Sequence, residues 1–242
     1  MAIVASDIDF LKSATGTSDG GAESSNEITS GLANDLWPNI SDALRTTGGT
    51  RYKKFYIKNS NGTETMVQPT VWIAEAPVGL QVYLGRGAGS SNDATNTQGN
   101  MTAFAASAKV ALISTGSDGR SATIIGLDTS GDPQQEVVTL TGTTEVLSVG
   151  TYSKVWTVYL NTTNGSNTVT VKQGAGGTTR GTIGPTLICC WLWVLATSKA
   201  TGILNPDLLP STSIPVWCKQ TWDAGIGAIR PTRQVVAVEE TP

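Results

Sequence analysis

Between Ser107 and Gly174 the apolar residues come in short runs that alternate with polar ones, each run closed by turn-forming residues. SATIIGLD, QQEVVTLTG, TEVLSV, YSKVWTVYL and NTVTVKQG are five such runs. A period of two sends successive side chains to opposite faces of a strand, a pattern that a helix cannot bury. Turn signals spaced about 8–12 residues apart are those of antiparallel sandwiches and barrels. Composition agrees: the chain has 27 glycines and 14% charged residues, and its net charge of −3 is too small for a chain held open by self-repulsion. The expected fold is all-β, with two β-sandwich-like domains, long loops and one short helical turn near residues 31–44.

The remaining segments follow from the same two periodicities. Residues 1–30 read as loop, since GTSDGGAESSNE holds no sustained period. Gly31–Leu44 spaces Leu32, Leu36, Trp37, Ile40 and Leu44 at near-helical intervals, but Pro38 limits it to a short turn of α or 3₁₀ helix. RYKKFYIKN is expected as a strand, with Phe55 and Ile57 on one face and Tyr52, Lys54, Tyr56 and Lys58 on the other. The Asn-Gly of SNGTET signals a hairpin, with MVQPTVWIAEA as the returning strand and Pro69 at an edge or bulge. LQVYLGRG and QVVAVEE read as further strands, and GILNPDLLPSTSIP as an extended, proline-punctuated segment. In IPVWCKQTW, Val216, Cys218 and Gln220 alternate with Pro215, Trp217, Lys219 and Thr221. The polar, Gly-rich stretch Gly85–Asn100 reads as a loop or boundary. Its GRGAG lacks the Lys-Ser/Thr ending of a phosphate loop.

One stretch stands apart. ICCWLWVLA, Ile188–Ala196, is nine residues without a charge. It is far short of the roughly 20 residues of a membrane helix, and turn-rich sequence flanks it. A short apolar run so bounded reads as a strand buried on both faces, between two layers or two subunits. Cys190, Leu192 and Val194 face one way; Cys189, Trp191, Trp193 and Leu195 face the other. Ile188, Trp191, Trp193 and Leu195 are therefore the candidate interface residues, with ordinary core inside one subunit as the other reading.

The chain offers little chemistry. It has no histidine, which removes His-based nucleophile systems and the commonest transition-metal ligand. Its three cysteines cannot form a four-thiolate zinc site, and the neighbours of Cys189 and Cys190 are too apolar to activate a thiol. Buried free cysteine is the favoured reading. Asp128 and Asp132 in DTSGDP lack the bidentate Glu of a calcium loop and fit a plain hairpin turn. The basic run RYKK reads as a solvated strand face, and the acidic balance speaks against nucleic acid. No cofactor, metal, membrane or small-molecule substrate is expected. Five N-x-S/T sequons, at Asn39, Asn61, Asn100, Asn161 and Asn164, read as coincidence in a Thr/Asn-rich chain without a signal peptide.

Two segments carry a resemblance. ATIIGLDTSGDPQQEVVTLTGTTEVLSVGTYSKVWTVYL is similar to a β-sandwich module of tailed-bacteriophage structural proteins, with Gly126, Asp128, Gly131, Glu136, Thr139, Leu140, Gly142 and Val155 at the motif positions. ITSGLANDLWPNISDALRTTGGTRYKKFYIKNSNGTETMVQPTVWI, together with VWCKQTWDAGIGA, resembles a second phage virion family. The resemblance implies a discontinuous first domain, residues 1–104 plus 205–242, with residues 105–204 inserted as a second module; tandem domains are the simpler alternative. It implies a non-enzymatic virion subunit made in the bacterial host cytoplasm. Such a subunit would assemble with copies of itself and other virion proteins in the tail (tube, neck or baseplate), or decorate the head. A carbohydrate- or receptor-binding module is the further alternative. Trp37, Trp72, Trp156, Trp217 and Trp222 are too dispersed in sequence to show a sugar-binding platform.

Overall fold

The computed structural model describes residues 3–14, 20–30, 35–37, 40–88, 99–163, 165–226 and 234–240. It is all-β, as the alternation requires. In chain order the strands are β1 (Ile8–Ser13), β2 (Glu23–Glu27), β3 (Gly49–Asn59), β4 (Thr70–Glu75), β5 (Gln81–Arg86), β6 (Ala108–Ser114), β7 (Ser121–Leu127) and β8 (Pro133–Thr139). They continue with β9 (Val146–Tyr152), β10 (Lys154–Leu160), β11 (Val169–Gln173), β12 (Thr178–Ile183), β13 (Cys189–Trp191), β14 (Ile203–Leu204), β15 (Ser213–Trp222) and β16 (Val235–Glu239). They form four antiparallel sheets: β2-β1-β3-β15-β5, β14-β4-β16, β13-β10-β7-β8 and β12-β11-β6-β9. Strands from residues 8–86 and 203–239 build the first two sheets, and strands from 108–191 build the other two.

The cores follow the alternation. Val110 and Leu112 of β6 and Val169 and Val171 of β11 meet Ile124 of β7 and Val158 and Leu160 of β10, so the third and fourth sheets enclose one cluster. A second cluster joins Phe55, Ile57, Val216 and Cys218 of the first sheet to Val71 and Ile73 of the second. Ile125 and Trp156, from the third sheet, enter that second cluster. A bulge makes this possible. Pairing of β10 with β7 skips a residue between Val155 and Thr157, which resets the in-out alternation. Val155 then joins Val158 in one core while Trp156 enters the other. Gly126 lies opposite Val155, and a Cβ there would overlap the Lys154 carbonyl oxygen.

Several sequence expectations are corrected. Residues 1–30 include two strands; the five residues of β2, ESSNE, are a polar edge strand whose order comes from pairing with β1 rather than from burial. SNGTET closes no hairpin, because β3 pairs with β1 and β15 while β4 lies between β14 and β16 in another sheet. Pro69 stands just before β4, a central strand, where its missing N–H costs no ladder bond. The short helix α1 spans Asp42–Thr47, later than its apolar spacing suggests, because Ser41 caps it by accepting from the Leu44 N–H. Residues 31–34 and 38–39 of that stretch lie outside the described residues. RYKK is no solvated face: Lys54 is fully buried and Arg51 is half-buried over the Trp37 ring.

Candidate functional site

The apolar run belongs to two sheets in turn. At Cys189–Trp191 it is β13, paired with β10. Three residues later Val194 and Leu84 of β5 exchange two backbone hydrogen bonds of 2.8 Å each, so the run continues along the open edge of the first sheet. The expected alternation holds in part. Cys189, Trp191 and Trp193 gather in one cluster and Val194 packs toward the core between the first and second sheets, but Cys190 enters the core between the third and fourth sheets and Leu192 packs on both cores. Of the candidate interface residues, Ile188 (4% exposed) and Trp191 (0%) sit inside the chain's own core, Trp193 is half-buried and Leu195 is 47% exposed. The first two therefore join parts of one chain, as in the core reading.

What Trp191 packs against is fixed by register. On the face of the first sheet opposite its main core, Lys54, Trp217 and Gly85 form one cross-strand row; Tyr52, Lys219 and Tyr83 form the next; Thr50, Thr221 and Gln81 the third. Trp191 stacks on Trp217, with ring centroids 5.3 Å apart and planes 14° apart. Gly85 leaves the space that stack needs, since a Cβ there would overlap the Trp191 indole. Trp193 meets Trp191 edge-on at 5.7 Å and Tyr52 at 5.8 Å. Lys219 Nζ lies 4.2 Å from the centre of the Tyr83 ring and 5.1 Å from that of Trp193. Tyr52, Tyr83, Trp193 and Lys219 are all half-buried. Burial lowers the Lys219 pKa from its ordinary value. Beneath them the Lys54 ammonium is fully buried and donates to the carbonyls of Gly21 (2.9 Å) and Ala88 (2.8 Å).

This cluster was only partly legible. Trp191 and Trp193 stand out in the sequence as candidate interface residues, but Trp217 stands among the tryptophans that are dispersed along the chain. Strand pairing over long sequence separations brings Trp217 under Trp191 and sets Lys219 between Tyr52 and Tyr83. No local signal announces such a row.

Other reactive groups are closed off. All three cysteines are fully buried, and burial pushes the thiols of Cys190 and Cys218 up to about 12. Asp118 and Arg120 form a buried pair in which the Asp118 carboxylate accepts from Arg120 Nε (2.9 Å) and Nη2 (2.7 Å) and from Ser114 Oγ (2.9 Å). Asp128 sits in the β7–β8 turn, its carboxylate accepting from the N–H groups of Ser130 and Asp132. Among the described residues no group of three or more Cys, Asp or Glu side chains has the arrangement of a metal site. No family model, curated protein or solved structure matches this chain.

Proposed function

We propose that the chain is a non-enzymatic structural subunit of a tailed-phage virion, present in multiple copies in the tail as part of the tube, neck or baseplate. Head decoration is the alternative position. The observation that carries this reading is apolar surface on adjoining sheet edges. Val137 on β8 is 61% exposed, and Leu147 and Val149 on β9 are 42% and 84% exposed. Isolated exposed valines are ordinary, but a group on neighbouring edge strands is the surface that contact with another subunit would bury. The residues that carry the phage resemblance support it from within. Gly126 makes room at the bulge, Asp128 and Gly131 shape a turn, Glu136 caps an edge strand and Leu140 is core. These are roles in building a rigid unit, and none places a reactive group at the surface.

The test is mass spectrometry with copy-number estimation on virions that carry this chain, after separation of heads from tails. Enrichment in tails at a small multiple of three or six supports the tail reading; hundreds of copies in heads support decoration. Absence from both fractions overturns the proposal. In sedimentation the purified chain is expected to self-associate with rising concentration, and Val149→Asp to weaken that association.

A further inference from the structure

We propose that the face of the first sheet at Tyr52, Lys219, Tyr83 and Trp193 binds a saccharide that bears a carboxylate, a uronic or sialic acid residue. The argument begins with Lys219. Among the described residues its ammonium forms no ion pair and donates no hydrogen bond; its neighbours are the ring faces of Tyr83 and Trp193. A cation–π contact offsets part of the cost of partial desolvation, but an ammonium keeps three donors that rings do not satisfy. Lys54, one row away, shows the contrast, for its buried ammonium has two carbonyl partners. An anion is the ligand that completes Lys219.

The surroundings specify more than an anion. Three aromatic rings border the lysine, and aromatic rings offer flat apolar faces against which the C–H face of a pyranose packs. The next row, Thr50, Thr221 and Gln81, lies at least partly open to solvent and places two hydroxyls and an amide beside the rings. These are groups that exchange hydrogen bonds with sugar hydroxyls. The Tyr83 hydroxyl already donates to Gln81 Oε1 at 2.9 Å, which ties the aromatic row to the polar one. A free phosphate would be better served by several cations or an arginine fork; here one lysine stands among rings. The platform is also fixed in advance. Trp193 rests edge-on against Trp191, which is stacked on Trp217 and cannot turn without emptying a core. Little side-chain order is left to be lost on binding.

The inference does not depend on where the chain sits in a particle, so virion fractionation and saccharide titration fail separately. The experiment is titration of the purified full chain at low salt, read by tryptophan fluorescence and by ligand-observed NMR. The probes are a hexasaccharide of alternating glucuronic acid and N-acetylglucosamine, sialyllactose, and the neutral sugars chitohexaose and lactose. Binding of one or both acidic probes, stronger than of their neutral counterparts, is expected; which one binds tells uronate from sialoside. Lys219→Gln should weaken acidic binding roughly tenfold, the scale of a lost charge-assisted hydrogen bond, with an unchanged melting temperature. Tyr83→Ala should weaken it as well. Equal binding of neutral and acidic probes, indifference to Lys219→Gln, or no binding of any probe overturns the proposal.

Discussion

Trp191 holds two parts of the molecule at once. Its backbone belongs to β13 in the third sheet, while its indole lies on Trp217 of β15 in the first. Trp191→Ala should therefore cost roughly 3–5 kcal/mol, the range for a large aromatic removed from a core that cannot collapse around the gap. Urea unfolding measures it, and a loss below about 1 kcal/mol, the size of a minor packing change, would show that other contacts close the seam. The Asp118–Arg120 pair makes a different prediction. The hydrogen bonds from Arg120 are the largest cause that holds the Asp118 pKa below its ordinary 3.8. A carboxyl with a depressed folded pKa contributes stability that is present above 3.8 and is lost as pH falls from there through the folded value. Asp118→Asn should lower stability at pH 7 and flatten the acid side of the melting curve, which thermal melts between neutral and acid pH would record. The thiols give a third test. With Cys190 and Cys218 raised to about 12 and all three cysteines fully buried, a thiol reagent should label none in the native chain and all three in denaturant. Rapid labelling of the native chain would contradict that burial.

At the scale of elements the open strand edges need an account. β8 and β9 are edge strands of different sheets, and the Glu136 carboxylate on β8 accepts from the N–H groups of Val149 (2.6 Å) and Gly150 (3.0 Å) on β9. A carboxylate that occupies edge donors keeps another strand from pairing there. Glu136→Ala frees those donors beside exposed Leu147 and Val149 and should raise aggregation on heating, measured by light scattering; unchanged aggregation would mean that the edge is protected otherwise. Elements also show what a sequence tells and what it withholds. The faces of β3 and β15 were readable because Phe55 and Ile57, or Val216 and Cys218, alternate with residues of another kind. β2 was not readable, since ESSNE owes its strand state to pairing with β1; in IDFLKS Ile8 and Phe10 do alternate toward a core, but over too few residues to stand out. β6 and β12 likewise lay outside the five runs, although AKVALIS places Val110 and Leu112 in a core and TTRGTI pairs with β11. SNGTET departs from a hairpin for another reason. Turn chemistry reports that the chain bends, but it carries no information on which sheet the next strand joins. The Tyr52–Lys219–Tyr83 row stayed hidden because cross-strand neighbours are set by register between distant segments, which no local window contains.

For the whole molecule, the question is whether the two pairs of sheets unfold as one body. Each pair has a hydrophobic cluster of its own, which by itself would permit independent unfolding. Three features oppose that. Ile125 and Trp156 leave the third sheet to enter the cluster of the first pair. Trp191 and Cys189 pack with Trp217 in a cluster that draws on both pairs. The run from Cys189 to Val194 is hydrogen-bonded first to β10 and then to β5, so opening either sheet pulls on the other. Those shared side chains are among the largest in the molecule, and Trp156 and Trp191 are both under 2% exposed. One cooperative transition is therefore expected, with far-UV circular dichroism and tryptophan fluorescence reporting the same midpoint in urea. Trp156→Ala removes the contact made through the bulge, and Trp191→Ala the contact made through the stack. The double variant leaves each cluster its own strands but deletes the two largest shared side chains, so it should separate the transition into two. The two single losses should also be coupled rather than additive, since both act through the same seam. Two separated transitions already in the unmodified chain would mean that the shared tryptophans join the sheets geometrically without making them one thermodynamic unit.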